Sequence, residues 1–491
     1  MKKTIAVIGS GIAGLTAGWL CRESGANVTI FEANSKRGMD CHTLYLDQQD
    51  KSSGYVDIPL RVMSPHAWPT TLKMCKILGV KTFEVDTPVA CSWLNEGTWF
   101  RSSKFKFGSK FIPWTPVRYL LHSETYRMLF GFLKIYKLNS DYLRPGLTVK
   151  EFIKQQKVDP LFWKGLLYPL LTTICTCDEK SIDQWPAMQI LDLLQKIVFG
   201  VRLRRIEGGT KALAEKLGKG LNFKSGIYVK DLSEQPSGIF LRSQNEDFGP
   251  FDNVICAVQA NHLNFLPKHY DLEKNILKSF PYDSGTLWIH SDKNFMPKRK
   301  EDWSTLHYQV KRDFSNSMFS VWVNPIEPTI PKHTPIFQTW NPIFEPKPEK
   351  VYKAVSMERA VVSGKNQNLI KELNNLQQLP SRKVFFCGSY AAPGVPLLES
   401  AVRSAFKTVG YLGFDLKNHE LAAIDSDGDG YTNGAELGDP DGTWVSGDPN
   451  PEVDEVYHPG DAESHPPEMV ETAVEESTWA SVKFAIGKLL R

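Results

Sequence analysis

A chain of 491 residues with 42% apolar and 23% charged side chains is too long for one compact core, and its composition is that of a globular protein. That excludes a fibrous or disordered chain and sets two or three domains as the expectation. The net charge of +3 hides an imbalance, because residues 418–476 hold 17 Asp/Glu and no Lys/Arg, so the remainder carries +20.

The first predicted element is a strand over Thr4–Ile8, β-branched and apolar, followed by Gly9, Gly11 and Gly14 and then by helical composition over Leu15–Glu23. In such a unit the first glycine permits the tight turn, the second lets backbone approach a pyrophosphate, and the third lets the helix pack closely on the strand. The bare helix start, including Ile12 and Ala13, offers unpaired N–H groups and a positive dipole end. A second strand over Asn27–Phe31 ends at Glu32, where a carboxylate accepts hydrogen bonds from ribose hydroxyls. The apolar stretch at the start is short and broken by glycines, so it reads as strand and turn rather than as a signal peptide. No run of about 18 apolar residues occurs anywhere, which excludes a spanning helix.

Residues 76–199 carry aromatic and leucine runs such as DPLFWKGLLYPLLTTIC and MQILDLLQKIVFGV, with the length and spacing of helices. Within them, Arg101–Lys137 holds eight Lys/Arg against the single acid Glu124, interleaved with aromatic side chains. This pattern suits either a solvated cap helix or an anionic membrane surface, and no nucleic-acid motif accompanies it. Next come RRIEGGTKALAEKL, whose Gly208-Gly209 opens a helix, then IYVKDL and FDNVICAV. Residues 266–377 show strand-like stretches, GTLWIH and MFSVWVN, separated by proline-rich loops. The closing segment is VFFCGSYAAPGVPLLESAVRSAF. Eight scattered cysteines with no CxxC pair indicate free thiols in a reducing, intracellular compartment, cytoplasmic or peripheral on a membrane surface.

Together these segments resemble the FAD-binding amine-oxidase-like flavoproteins, the monoamine oxidase and phytoene desaturase superfamily, over roughly residues 1–412. FEANSKRG is similar to that family's run around the FAD pyrophosphate, which implies roles for Glu32, Ala33, Arg37 as phosphate cation, and Thr43. This chain has Met39 where a second glycine is usual. The resemblance also implies Val229 backbone against the adenine, Gly388 and Ser389 near the ribityl chain, and the helix start at Leu398, Ser400 and Ala401 facing the isoalloxazine. The implied fold is α/β: a Rossmann-type FAD-binding domain (1–75, 200–265, 378–415), a helical cap (76–199), the sheet of an interleaved α+β substrate domain (266–377), and a small C-terminal calcium-loop segment. HSDKNFMPKRKEDWS further resembles predicted FAD-binding proteins with an HxDxxxMP segment.

FAD, bound non-covalently, would take a hydride from a C–H bond. In the amine oxidases of the superfamily a lysine on the substrate-domain strand bridges to the flavin through water; here that position falls on Thr286 or Leu287, with Lys293 beyond. The expectation is therefore a desaturase or double-bond isomerase acting on a fatty acid, other lipid or isoprenoid. The alternatives are an amine oxidase producing an imine and hydrogen peroxide, a non-catalytic calcium-responsive flavoprotein, and a nicotinamide dehydrogenase. His290 and Asp292, two residues apart, are either a proton relay or a structural hydrogen-bonded pair; Trp303, His66 and the pocket-wall residue Tyr390 complete the nominations.

The C-terminal segment, 416–460, contains IDSDGDGYTNGAEL. Asp425, Asp427, Asp429, the Tyr431 carbonyl, Asn433 and Glu436 fall at positions 1, 3, 5, 7, 9 and 12 of a Ca²⁺ loop, with Gly430 at the sharp turn. The run resembles the loop of temptin-like modules without their cysteines. Residues 461–491 end in STWASVKFAIGKLLR, where Trp479, Val482, Ile486 and Leu489 line one stripe of an amphipathic helix, suited to docking on the protein itself or to a membrane interface.

Overall fold

The computed structural model describes residues 2–36, 38, 43–46, 54–107, 110–138, 143–198 and 202–414. The Met39 substitution, the calcium loop and the tail helix all lie outside these residues, as does Arg37.

The first strand, β1 (Thr4–Ile8), is the centre of a five-stranded sheet. It pairs in parallel with β2 (Asn27–Glu32) on one side and with Asn253–Cys256 on the other; Asn222–Ser225 and Val384–Phe386 form the two edges. Four of the five β1 residues are fully buried, as a strand covered on both faces requires. Between β1 and β2 runs α1 (Ile12–Glu23), buried along Ile12–Cys21. Its small residues let it lie close to the sheet: a Cβ added to Gly14 would sit 2.0 Å from the Gly9 carbonyl oxygen, and one on Gly18 would sit 3.0 Å from Ile30. The final helix, Leu398–Tyr411, packs beside α1 through Ala401, Val402, Ala405 and Val409.

The second sheet has seven strands in the order Val351–Ala360, Tyr282–His290, Phe337–Trp340, Ser317–Trp322, Leu306–Val310, Val89–Trp93 and Thr98–Arg101. The last two come from the stretch expected to be a wholly helical cap. They form a hairpin whose turn uses Asn95 at φ 63, and Val89–Trp93 joins Leu306–Val310 in parallel. Burial on both faces gives VACSW no simple alternation, which is why the strand is hard to read locally. Over one face of this sheet sit the cap helices. Asp159 starts one of them, accepting from Leu161 N (2.8 Å) with Pro160 following as first helical residue. The cap core joins Phe162, Trp163, Leu167 and Leu171 to Tyr308, Val310, Phe319 and Val321 of the sheet.

A buried charge cluster ties the second sheet to the short hairpin and the helix that lead into the first. Arg205 is fully buried; its Nη1 donates to the Ile326 carbonyl (2.6 Å) and lies 2.7 Å from Glu327 Oε2, while its Nη2 is 3.5 Å from Asp57 Oδ2. Asp57 ends strand β4 (Tyr55–Asp57), which pairs with β3 (Thr43–Tyr45), and caps the helix Gly209–Gly218 by accepting from Thr210 N at 3.2 Å. Gln338 of the second sheet donates to the Asp57 carbonyl (2.6 Å). Removing the cation strands two buried carboxylates. Arg205→Met should cost about 3–5 kcal/mol, read as a lowered urea midpoint. Arg202→Met, which removes a half-exposed pair with Glu84, should cost under about 1 kcal/mol.

Candidate functional site

The C-terminal ends of three parallel strands meet at two helix N-termini. Ala257 N donates to the Ile8 carbonyl (2.8 Å) and Cys387 N to the Cys256 carbonyl (3.1 Å). A Cβ on Gly9, whose φ is +103, would lie 2.8 Å from the Ala257 oxygen. This crevice at the carboxyl edge of an open parallel sheet is where such folds bind ligands.

At its centre is the start of α1. Gly11 is the N-cap, no side chain caps the helix, and no acid lies in its first turn. The first helical bond is Leu15 N to Gly11 O (2.9 Å), so the N–H groups of Ile12, Ala13 and Gly14 have no acceptor within the helix. A Cβ on Gly11 would meet nothing within 4 Å. Tight packing at Gly9 and Gly14 with open space at Gly11 is the distribution a phosphate cradle needs, and a flavin dinucleotide fits it.

Glu32 borders the cradle. One carboxylate oxygen accepts from Ser10 N (3.0 Å) and Ser10 Oγ (2.5 Å), the other from Asn34 N and Nδ2 (both 2.9 Å). Ser10 Oγ in turn accepts from Gly38 N (2.8 Å). The Glu32 and Asn34 carbonyls accept from Ile227 N and Gly226 N (both 2.9 Å), which brings the chain leading to buried Val229 to this end of β2. Ala33 is exposed beside Glu32. Thr43, on β3, is buried with its hydroxyl unpartnered, a second orphan donor suited to a polar ligand.

The other helix start is less open. Gly388 N donates to Ser404 Oγ (2.9 Å), Ser389 is half-buried, and Ser400 Oγ donates to the Val395 carbonyl (2.5 Å). Ala401 N already bonds Leu397 O (3.1 Å), so the donors left by the helix itself are those of Leu398, Glu399 and Ser400. Glu399, which the sequence reading passed over, turns away: it accepts from Thr70 N (2.9 Å), Thr71 N (2.9 Å) and Thr71 Oγ1 (2.7 Å) at the start of α2 (Pro69–Ile77). Ser10 was also missed; the only signal for either was a polar residue beside a helix start.

Of the nominated chemical residues, His290, Asp292 and Trp303 gather around Phe295 and Phe337, in the neighbourhood of the second sheet. Along Tyr282–His290, Leu287 and Ile289 face Val56 and Ile58 of the dinucleotide domain. Alternation therefore turns His290 to the outer face. There its Nε2 lies 3.1 Å from Thr339 Oγ1 and its Nδ1 accepts from Asp292 N (3.2 Å). Burial pushes its pKa down to about 4, so the ring is neutral near pH 7. Asp292 caps a turn, accepting from Asn294 N and Lys347 N (both 3.1 Å). Trp303 donates to the Pro297 carbonyl (2.8 Å) and packs on Trp322 and Phe337. His66 is exposed before α2, and Tyr390 points into the core against Phe280, its hydroxyl unpartnered. The Asp292 N to His290 Nδ1 bond ties the end of the strand to the turn that follows it.

All seven described cysteines are unpaired and buried. No group of three or more His, Cys, Asp or Glu among the described residues is placed to hold a metal.

Comparison with known proteins agrees with this geometry. Residues 7–78 match the NAD(P)-binding Rossmann-like domain and residues 404–461 match the Temptin C-terminal domain. The flavin-containing amine oxidase of Danio rerio is 29% identical over 313 residues, 60% of this chain and 58% of that one; the flavin-containing amine oxidase B of Homo sapiens is 29% identical over 188 residues, 36% and 33%. The chain thus spans between a third and three fifths of the length of these relatives. A putrescine oxidase bound to putrescine superposes with a TM-score of 0.57 at 12% identity, covering 84% of this chain and 99% of that one. The fold is that of the FAD-dependent amine oxidases, mixed α/β with a Rossmann-like domain.

Gly11→Asp should fold normally, since its side chain enters open space, yet lose flavin: bound FAD, read from visible absorbance, should drop by at least about tenfold, the loss of a charge-assisted contact of 1.5–3 kcal/mol. A second outcome concerns pH. His290 and His307 are both pushed down to about 4 by burial from an ordinary 6.5, so the unfolded chain binds more protons between those values. Stability contributed by the neutral rings is complete above about pH 6.5 and falls as pH drops towards 4, by up to ~1.4 kcal/mol per unit for each ring. The loss of melting temperature over this window should be shallower in His290→Gln.

Proposed function

We propose that this protein is an FAD-dependent oxidoreductase that draws hydride from a C–H bond of a hydrophobic substrate, a fatty acid, other lipid or isoprenoid, as a desaturase or double-bond isomerase. The observation that carries the substrate class is the face of the seven-stranded sheet turned toward the dinucleotide domain. It presents Leu287, Ile289 and Trp340, packed with Val56 and Ile58 and flanked by Leu44 and Leu60. Thr286 alternates to the opposite face, so the inward positions at this level are Gly285 and Leu287, and no lysine stands on the strand Tyr282–His290. A Cβ on Gly285 would lie 2.4 Å from the Trp340 ring, so that ring fills the space a side chain would otherwise take.

In this reading the N–H groups of Gly11, Ile12, Ala13 and Gly14 bind the pyrophosphate, with Arg37 as its cation. Glu32 accepts from the ribose hydroxyls, with Ala33, Thr43 and Val229 lining the adenosine end. Gly388, Ser389, Leu398 and Ser400 lie along the ribityl chain and ring, with Ala401 supporting them from the helix core. FAD, when bound, accepts two electrons as hydride. The chain's own contribution is to orient the substrate and exclude water: an apolar wall holds a carbon chain against the cofactor without offering a competing proton donor. The reading takes FAD as non-covalently bound.

Amine oxidation is the second reading, and the amine oxidases among the relatives favour it. A hydrophobic amine would satisfy the same wall. Calcium binding by Asp425, Asp427, Asp429, Tyr431, Asn433 and Glu436 belongs to the same proposal, supported by the Temptin C-terminal match. No described helix is long and apolar enough to cross a membrane; peripheral contact through residues 101–137 is part of the reading.

The test is direct. The purified protein should be yellow, and anaerobic addition of a polyunsaturated fatty acid or carotenoid precursor should bleach the flavin or change the double-bond pattern without net reduction. Bleaching by amines alone would overturn the substrate class and leave the amine oxidase reading.

A further inference from the structure

Twelve large hydrophobic side chains are exposed among the described residues, and seven of them fall between residues 114 and 136: Trp114, Val117, Leu121, Tyr126, Leu129, Phe130 and Tyr136. Such crowding within so short a stretch is a patch rather than scatter. The cap helix Ser123–Lys137 explains it. Its inward side, Thr125, Met128, Gly131 and Ile135, is buried; a Cβ on Gly131 would lie 2.2 Å from the Phe162 ring, and Thr125 Oγ1 donates to the Trp99 carbonyl (2.6 Å). Its outward side, at helical spacing, is Tyr126, Leu129, Phe130 and Tyr136, where a surface helix is ordinarily polar. The preceding turn adds Val117 and Leu121, the latter 86% exposed. Both segments are held firmly: Tyr126 Oη donates to the Leu120 carbonyl (2.9 Å), buried Tyr119 donates to Asp302 (2.8 Å), and Arg127 forks onto Asp159 at 2.8 and 2.7 Å.

Charge surrounds the patch. Residues 101–164 contain 13 Lys/Arg and four Asp/Glu. Lys137 is exposed at the end of this helix; Lys150, Lys154 and Lys157 are exposed on and just past the helix Val149–Gln156, which Lys134 ties to it through the Gln156 carbonyl. The patch is a convex stripe of aromatic and leucine side chains rimmed by cations, a shape that needs a deformable, negatively charged, apolar partner.

We infer that this face of the cap is the protein's docking surface for anionic phospholipid bilayers, with Leu121 and Phe130 entering the headgroup–acyl boundary and the lysines meeting lipid phosphates. The inference deepens the peripheral contact named in the reading above by giving it a face, its anchoring residues and a lipid class, and it would give a lipid substrate a source.

The experiment is flotation of the full-length, FAD-loaded protein with vesicles. Binding is expected to phosphatidylcholine vesicles carrying about a third phosphatidylserine, weakened roughly tenfold without the anionic lipid or in about 0.5 M salt. Leu121→Asp with Phe130→Asp should lower binding by at least about tenfold with the flavin spectrum unchanged; the single Leu121→Ser, at the most exposed position, should lower it in the same direction. The inference is overturned if the wild type does not float, if the double variant floats as well as wild type, or if Trp479→Asp with Ile486→Asp alone abolishes binding. It is equally overturned if the patch variants abolish only a concentration-dependent dimer. A colourless protein that floats would sink the flavin reading and leave this one standing.

Discussion

The approach of α1 to β1 governs the rest of the molecule. With the Gly9 oxygen 2.0 Å from where a Gly14 Cβ would stand, only glycine lets the helix begin where it does, directly over the end of the strand. That position determines what its free N–H groups point at. Were the helix pushed out by one methyl group, the dipole end and its orphan donors would lose their aim into the crevice, and the open space at Gly11 would have no function. The tight glycines and the open glycine are one device.

Three stretches far apart in sequence must converge on that device, and packing alone would not hold them. Asp57 is the shared point. Its carboxylate caps the helix Gly209–Gly218, its charge meets Arg205, and its carbonyl takes Gln338 from the second sheet. Glu327 reaches the same guanidinium from a loop of the substrate domain. Burying one cation between two carboxylates is costly, and apolar replacements of matched volume pack as well. Its contacts are directional, and they tie the helix Gly209–Gly218, the strand Tyr55–Asp57 and the second sheet at one point. Glu399 does the same at the other helix start, tying α2 to the closing helix.

Much of the crevice was legible in the sequence because its signals are local. Glycines at 9, 11 and 14, a strand before them and Glu32 after the second strand make a pattern that each element's own chemistry specifies. Where the chemical nominations sit was decided non-locally. The strand ends at His290 and Asp292 caps the turn after it; which face of the strand meets the dinucleotide domain goes with Val56 and Ile58 packing against Leu287 and Ile289. The hairpin at 89–101 was missed for a related cause, since a strand buried on both sides shows neither alternation nor helical spacing. Asp57 and Arg205 gave no signal, because a buried charge reads as a surface charge until its partners are placed.

The proposed chemistry needs two opposite physical conditions. Phosphates are held by backbone donors and a helix dipole, groups that cost no reorganisation when a charged ligand arrives. In the proposed reading the other condition comes from the apolar cluster of Leu287, Ile289 and Trp340 with Val56 and Ile58. Hydride leaves a carbon chain most readily where water cannot intercept the resulting cation or donate a competing proton, so an apolar wall beside a charge-binding cradle suits C–H chemistry better than acid–base chemistry. The histidines that burial drives down to about 4 both lie on the outer face of the sheet, packed around Phe295, where their neutrality stabilises the fold and their titration does not touch the site.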